Sequence, residues 1–145
     1  GLAWVTGAAV MAAGAMPDVR TFALAALYSV GAHGIMTLND FKAMAGDRQL
    51  GIRSLPVQLG ADRAARVACL VMAAPQVVVV ALLLSWGQPV HAAGIGALLL
   101  AQFVLMRRFI AAPVARATWY SGFGVPLFVL GMLVSAFALR SLVAA

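Results

Sequence analysis

The chain has no glutamate, four aspartates and a single cysteine in 145 residues. Charged side chains make up 10% of it, against about 25% in a soluble domain, which excludes a water-solvated globule and points to a bilayer. One cysteine excludes a disulfide framework, and Cys69, set in an apolar run, reads as a small buried side chain. Aromatic residues are 8% and do not interleave with the basic ones, so no nucleic-acid partner is expected. The first apolar run is short and lacks a basic n-region, so it is not expected to be a signal peptide. The abrupt start without Met suggests the C-terminal part of something longer.

What is present is 64% apolar and arranged in blocks. Runs at 2–16, 21–38, 67–87, 90–106 and 119–139 read as membrane helices, the first a little short for a core of ~30 Å. The expected fold is therefore an all-α polytopic membrane protein of about five spans, forming one membrane domain over 1–145. Pro75 and Pro126 fall inside spans, and Pro113 breaks the basic connection that holds Arg107, Arg108 and Arg116. Trp119 and Tyr120 sit where an interfacial aromatic anchor would. Alternating crossings put eight Lys and Arg on one side (Lys42, Arg48, Arg53, Arg63, Arg66, Arg107, Arg108 and Arg116) and two, Arg20 and Arg140, on the other. That asymmetry makes the 39–66 connection cytoplasmic.

This connection holds the chemistry. It reads NDFKAMAGDRQLGIRSLPV from Asn39 to Val57, with helix expected to about Arg48, a turn near Gly51, a short helix after Ser54 and an N-cap at Asp62. On a continuing helix Asp40 and Asp47 share a face, with Cα atoms roughly 10 Å apart. One ion cannot span that gap, but a diphosphate with one or two Mg2+ can, because Mg2+ is commonly shared between carboxylates and phosphate oxygens. Asn39 adds a neutral oxygen ligand; Arg48 and Arg53 suit phosphate oxygens, and Lys42 adds a point charge from an adjoining face. Plainer readings compete: two aspartates on one helical face are common, Arg63, Arg66, Arg107, Arg108 and Arg116 set topology, and His33 is a packed, hydrogen-bonded side chain or a ligand to a tetrapyrrole metal.

The run Asn39, Asp40, Phe41, Lys42, then Gly46, Asp47, Arg48, Gly51, and Ser54, Leu55, Pro56, Val57 resembles the second aspartate-rich motif of the chlorophyll synthase branch of the UbiA-type intramembrane prenyltransferases. The stretches QLGADRAARVACLVM and ATWYSGFGVPLFVLGMLVSAF are similar to the bacteriochlorophyll-forming members of that branch. Ala43 departs from relatives that carry Asp four residues ahead of the Asp47 position, as is usual in this branch. The resemblance implies a nine-helix bundle around a lipid-open cavity, of which these spans are the last five. It also implies a bacterial inner membrane, Mg2+ as cofactor, and transfer of a geranylgeranyl or phytyl group from its diphosphate to the propionate of bacteriochlorophyllide a. Asp40 and Asp47 would then be catalytic, holding metal with Asn39, and Asn39, Lys42, Arg48 and Arg53 would bind substrate. The first aspartate motif would lie on a missing N-terminal half, so the fragment alone is expected to be inactive. A prenyltransferase for a quinone or haem precursor, or a non-catalytic pigment-binding assembly protein, are the alternatives.

Overall fold

In the computed structural model, which describes residues 17–143, the first element begins where Asp18 stands in extended conformation behind Pro17. Its carboxylate accepts from the Thr21 backbone N–H at 2.9 Å and from the Thr21 hydroxyl at 3.0 Å, satisfying donors that a helix start leaves open. From there the chain forms α1 (Val19–Leu50), α2 (Leu55–Leu59), α3 (Ala61–Ser85), α4 (Pro89–Ala111) and α5 (Pro113–Val143). The expected span at 2–16 lies outside the described residues. Among the described residues four helices are long and apolar enough to cross a membrane, the architecture of an all-α integral membrane protein.

Element ends differ from the sequence expectation for local reasons. α1 has 32 residues, about 48 Å of helix, so its last dozen residues extend beyond a ~30 Å core. α3 is capped by Gly60, and Asp62 stands inside its first turn as an exposed acid without a side-chain cap bond. There it complements the helix dipole instead of capping the end. The connection expected over 107–118 is almost entirely helix. Only Ala112 separates α4 from α5, because Pro113 takes the first helical position, where a missing N–H costs nothing.

α1 packs on α3 and α5, α4 packs on the same two helices, and α2 lies against α1 and α3. α1 and α4 are thus diagonal, bridged at one end by an edge-on contact between Phe41 and Phe109, ring centroids 5.5 Å apart. Exposed apolar side chains such as Leu70, Leu100, Phe123 and Phe137 face outward. Lipid solvates such a surface, so helix choice rests on close packing and interhelical hydrogen bonds.

Those bonds are specific. Gln76 Nε2 donates to the Gln102 side-chain oxygen at 2.9 Å, and Gln102 Nε2 donates to the Tyr120 hydroxyl at 3.3 Å, tying α3 to α4 and α4 to α5. The Ser135 hydroxyl donates to the Gly131 carbonyl, so Tyr28 is the donor of the 2.8 Å Tyr28–Ser135 bond that joins α1 to α5. Gln102→Leu, which strips both neighbours of a partner, is expected to cost about 1 kcal/mol in reversible unfolding from mixed micelles. The Gln76→Leu, Gln102→Leu double variant should cost less than the sum of the singles, since the two side chains share one bond.

Candidate functional site

Asp40 and Asp47 lie on the part of α1 that leaves the bilayer. Seven residues at about 100° each put them within about 20° of one another around the helix. Buried Phe41 and Met44 hold this stretch of α1 to the bundle, and both aspartates sit half-buried at the rim of that contact. The Asp40 carboxyl is pushed above the usual aspartate range, first by desolvation and then by the negative charge of Asp47. Two turns apart, the pair still interacts.

Asn39 and Arg48 flank the acids, each about 80–100° around the helix on opposite sides, and both are exposed. Lys42 is exposed about 140–160° away, on the far face of α1 instead of the adjoining one expected from sequence. Arg53 lies exposed in the turn between α1 and α2, its carbonyl accepting from the Gln58 side-chain amide.

The turn hangs from the site itself. Gly51 closes α1 at φ 69°, its N–H bonded to the Asp47 carbonyl, and the Ile52 N–H donates to the same oxygen at 2.8 Å. A left-handed residue is what lets two successive N–H groups converge there. Gly51→Ala is expected to cost about 1 kcal/mol through backbone strain alone, because a Cβ at that position would have nothing within 4 Å. Gly51→Asn should recover part of it in the same unfolding measurement.

A cavity of about 530 Å3, lined by Arg108, Arg116 and Trp119, opens where α4 passes into α5. Arg116 Nη1 donates to the Arg108 carbonyl at 2.7 Å across the α4–α5 turn. The Phe41–Phe109 contact and the stacking of Phe109 on Tyr120, at 5.1 Å, tie this end of the bundle to the turn of α1 that carries Asp40. No acidic residue follows Asp62, so α4 and α5 carry no carboxylate of their own. Sequence reasoning assigned these arginines to topology and missed the cavity. It also passed over Gln76 and Gln102, although an amide inside an apolar span is a visible signal. His33 is exposed, with Nδ1 3.0 Å from the Ser29 carbonyl, and is not packed in the core.

The donor set is all oxygen, which suits a hard cation such as Mg2+. Positive charge brought to the aspartates by such cations would also offset the Asp47 repulsion that adds to desolvation at Asp40. Among the described residues no three of His, Cys, Asp and Glu gather to hold a metal, so the pair with Asn39 is a partial set.

The sequence matches the UbiA prenyltransferase family over residues 1–120. It is 57% identical over 98% of its length to the bacteriochlorophyll synthase 33 kDa chain of Cereibacter sphaeroides, covering 47% of that protein. It is 44% identical over 97% of its length to the 34 kDa chain of Chloroflexus aurantiacus, covering 44%. The chloroplastic chlorophyll synthase of Oryza sativa is 37% identical over 95% of the chain and 36% of its own length. The chain spans about half the length, or less, of these curated relatives. No solved structure matches. With membrane-spanning helices, an aspartate pair at the bilayer rim and a family match over most of its residues, the chain belongs to the UbiA prenyltransferase family.

Proposed function

We propose that this chain is the C-terminal part of a bacteriochlorophyll-forming prenyltransferase, esterifying the propionate of bacteriochlorophyllide a with a geranylgeranyl or phytyl group carried as its diphosphate. The observation that carries the reading is the placement of Asp40 and Asp47, both half-buried, on one face of α1 beyond its membrane-spanning length. Bacteriochlorophyll and chlorophyll synthases among the relatives support the acceptor class. The cationic excess at the aspartate end of the bundle supports a cytoplasmic site in a bacterial inner membrane.

Asp40 and Asp47, with Asn39, would hold Mg2+. When bound, Mg2+ supplies positive charge to the diphosphate and makes it a better leaving group. Arg48 and Arg53 oppose the negative charge that grows on the departing oxygen as the allylic C–O bond breaks. Lys42, on the far face of α1, acts through the local field. The propionate carboxylate, already ionised near neutral pH, captures the allylic cation without a dedicated general base. Apolar helix faces keep water from capturing it first. The partial donor set among the described residues supports the view that the fragment is inactive by itself.

An acceptor panel with the full-length protein tests this. With geranylgeranyl diphosphate and Mg2+, the ester should form on bacteriochlorophyllide a and not on a quinone precursor or haem. Prenylation of the quinone ring or of haem in its place would refute the assignment.

A further inference from the structure

An imidazole exposed within an apolar span is costly unless something in that environment uses it. His33 is such a residue: it sits in the apolar run that ends at Leu38, and its side chain is exposed. Its Nδ1 lies 3.0 Å from the Ser29 carbonyl, which only accepts, so Nδ1 is the donor, and it is Nε2 that offers a lone pair when the ring is neutral. A ring N–H tied to a backbone carbonyl, with the other nitrogen free, is the arrangement of a metal-ligating histidine.

Its place on α1 gives the ligand. His33, Asp40 and Asp47 follow one another at seven-residue intervals, so the three form one stripe that drifts by only about 20° per step. His33 lies on the order of 10 Å deeper in the bilayer than Asp40. On the His33 side of the stripe the neighbours Ala26, Val30 and Met36 are exposed and apolar, a surface on which a flat macrocycle can lie. We propose that His33 Nε2 is the axial ligand to the central metal of the tetrapyrrole acceptor, seating the ring on α1 so that its propionate reaches up toward the diphosphate at Asp40 and Asp47. This rests on the acceptor class proposed above, and it makes His33 the residue that selects a metal-bearing ring over a metal-free one.

The test is pigment binding to the full-length protein in nanodiscs without a prenyl donor. The probes are bacteriochlorophyllide a and its metal-free analogue, and the readout is the Qx absorption band, which reports the number of axial ligands on the metal. Wild type should shift that band. His33→Ala should abolish the shift, and in a separate turnover assay with the donor supplied it should raise the KM for bacteriochlorophyllide about tenfold or more, leaving the KM for geranylgeranyl diphosphate unchanged. Added imidazole should restore the shift, and the metal-free analogue should bind wild type and variant alike. An unchanged Qx band in His33→Ala, or equal weakening for the metal-free ring, would overturn the ligand role and leave the acceptor class standing. Failure of wild type to bind the pigment at all would overturn both.

Discussion

Asp40→Asn in the full-length protein is expected to lower Mg2+-dependent ester formation by about three orders of magnitude while the protein still inserts in the membrane. The substitution keeps the side chain's size and one oxygen but removes the charge. Phe41 and Met44, which anchor this part of α1, are untouched. Asp47→Asn should cost as much, and the double variant little more, because in the proposed site the two residues serve one metal-bound leaving group and would act as a unit. A pH dependence follows. Since the Asp40 carboxyl is raised by desolvation and by Asp47, metal-dependent activity should fall away at a higher pH than for an ordinary aspartate as the medium is acidified. Asp47→Asn removes the Coulombic part, so the residual activity should lose its acid limb at lower pH. Turnover within a few-fold of wild type in Asp40→Asn would refute the role.

The second large effect is structural. Gly34 lies where α1 and α3 approach most tightly: a Cβ there would stand 2.6 Å from the Ala68 carbonyl and 3.3 Å from the Met72 N, and would strike the Met72 side chain. The side chain can swing aside, but backbone of a packed helix cannot, so the helices must part. Gly34→Ala is expected to cost about 3 kcal/mol in unfolding from mixed micelles, and Gly34→Leu to prevent the native bundle from forming. Gly46, on the same helix, is the internal control. A Cβ there meets nothing within 4 Å, so Gly46→Ala should stabilise by about 0.5–1 kcal/mol through helix propensity. Equal effects at the two positions would show that the α1–α3 seam is not as close as described.

Those two glycines show what a one-dimensional reading can reach. Both are visible in the sequence, and nothing local distinguishes them; only the partner helix makes one indispensable. The acid pair was legible because its face depends on helix register alone, and no proline interrupts α1 between Asn39 and Leu50. The same register arithmetic would have put Lys42 on the far side. The cap of α3 was not legible, since Gly60 and Asp62 both carry capping chemistry. Gly60, at φ 78° and ψ 157°, occupies backbone space that aspartate rarely adopts, which settles the choice in its favour. Pro113 likewise reads equally as a breaker or as a first helical residue. The Gln76–Gln102 bond joins residues 26 apart on different helices, and the Arg108–Arg116 cavity depends on how α4 meets α5. Neither leaves a periodic trace.

The proposed catalysis depends on Asp40 and Asp47 sharing divalent ions with a diphosphate. The most direct measurement is Mn2+ binding by electron paramagnetic resonance, with Mn2+ standing in for Mg2+ and a non-reactive prenyl diphosphate analogue present. Full-length wild type should bind Mn2+ only with the analogue, and Asp40→Asn and Asp47→Asn should each lose it. Mn2+ held equally well by both variants, or bound without regard to the diphosphate, would contradict the account.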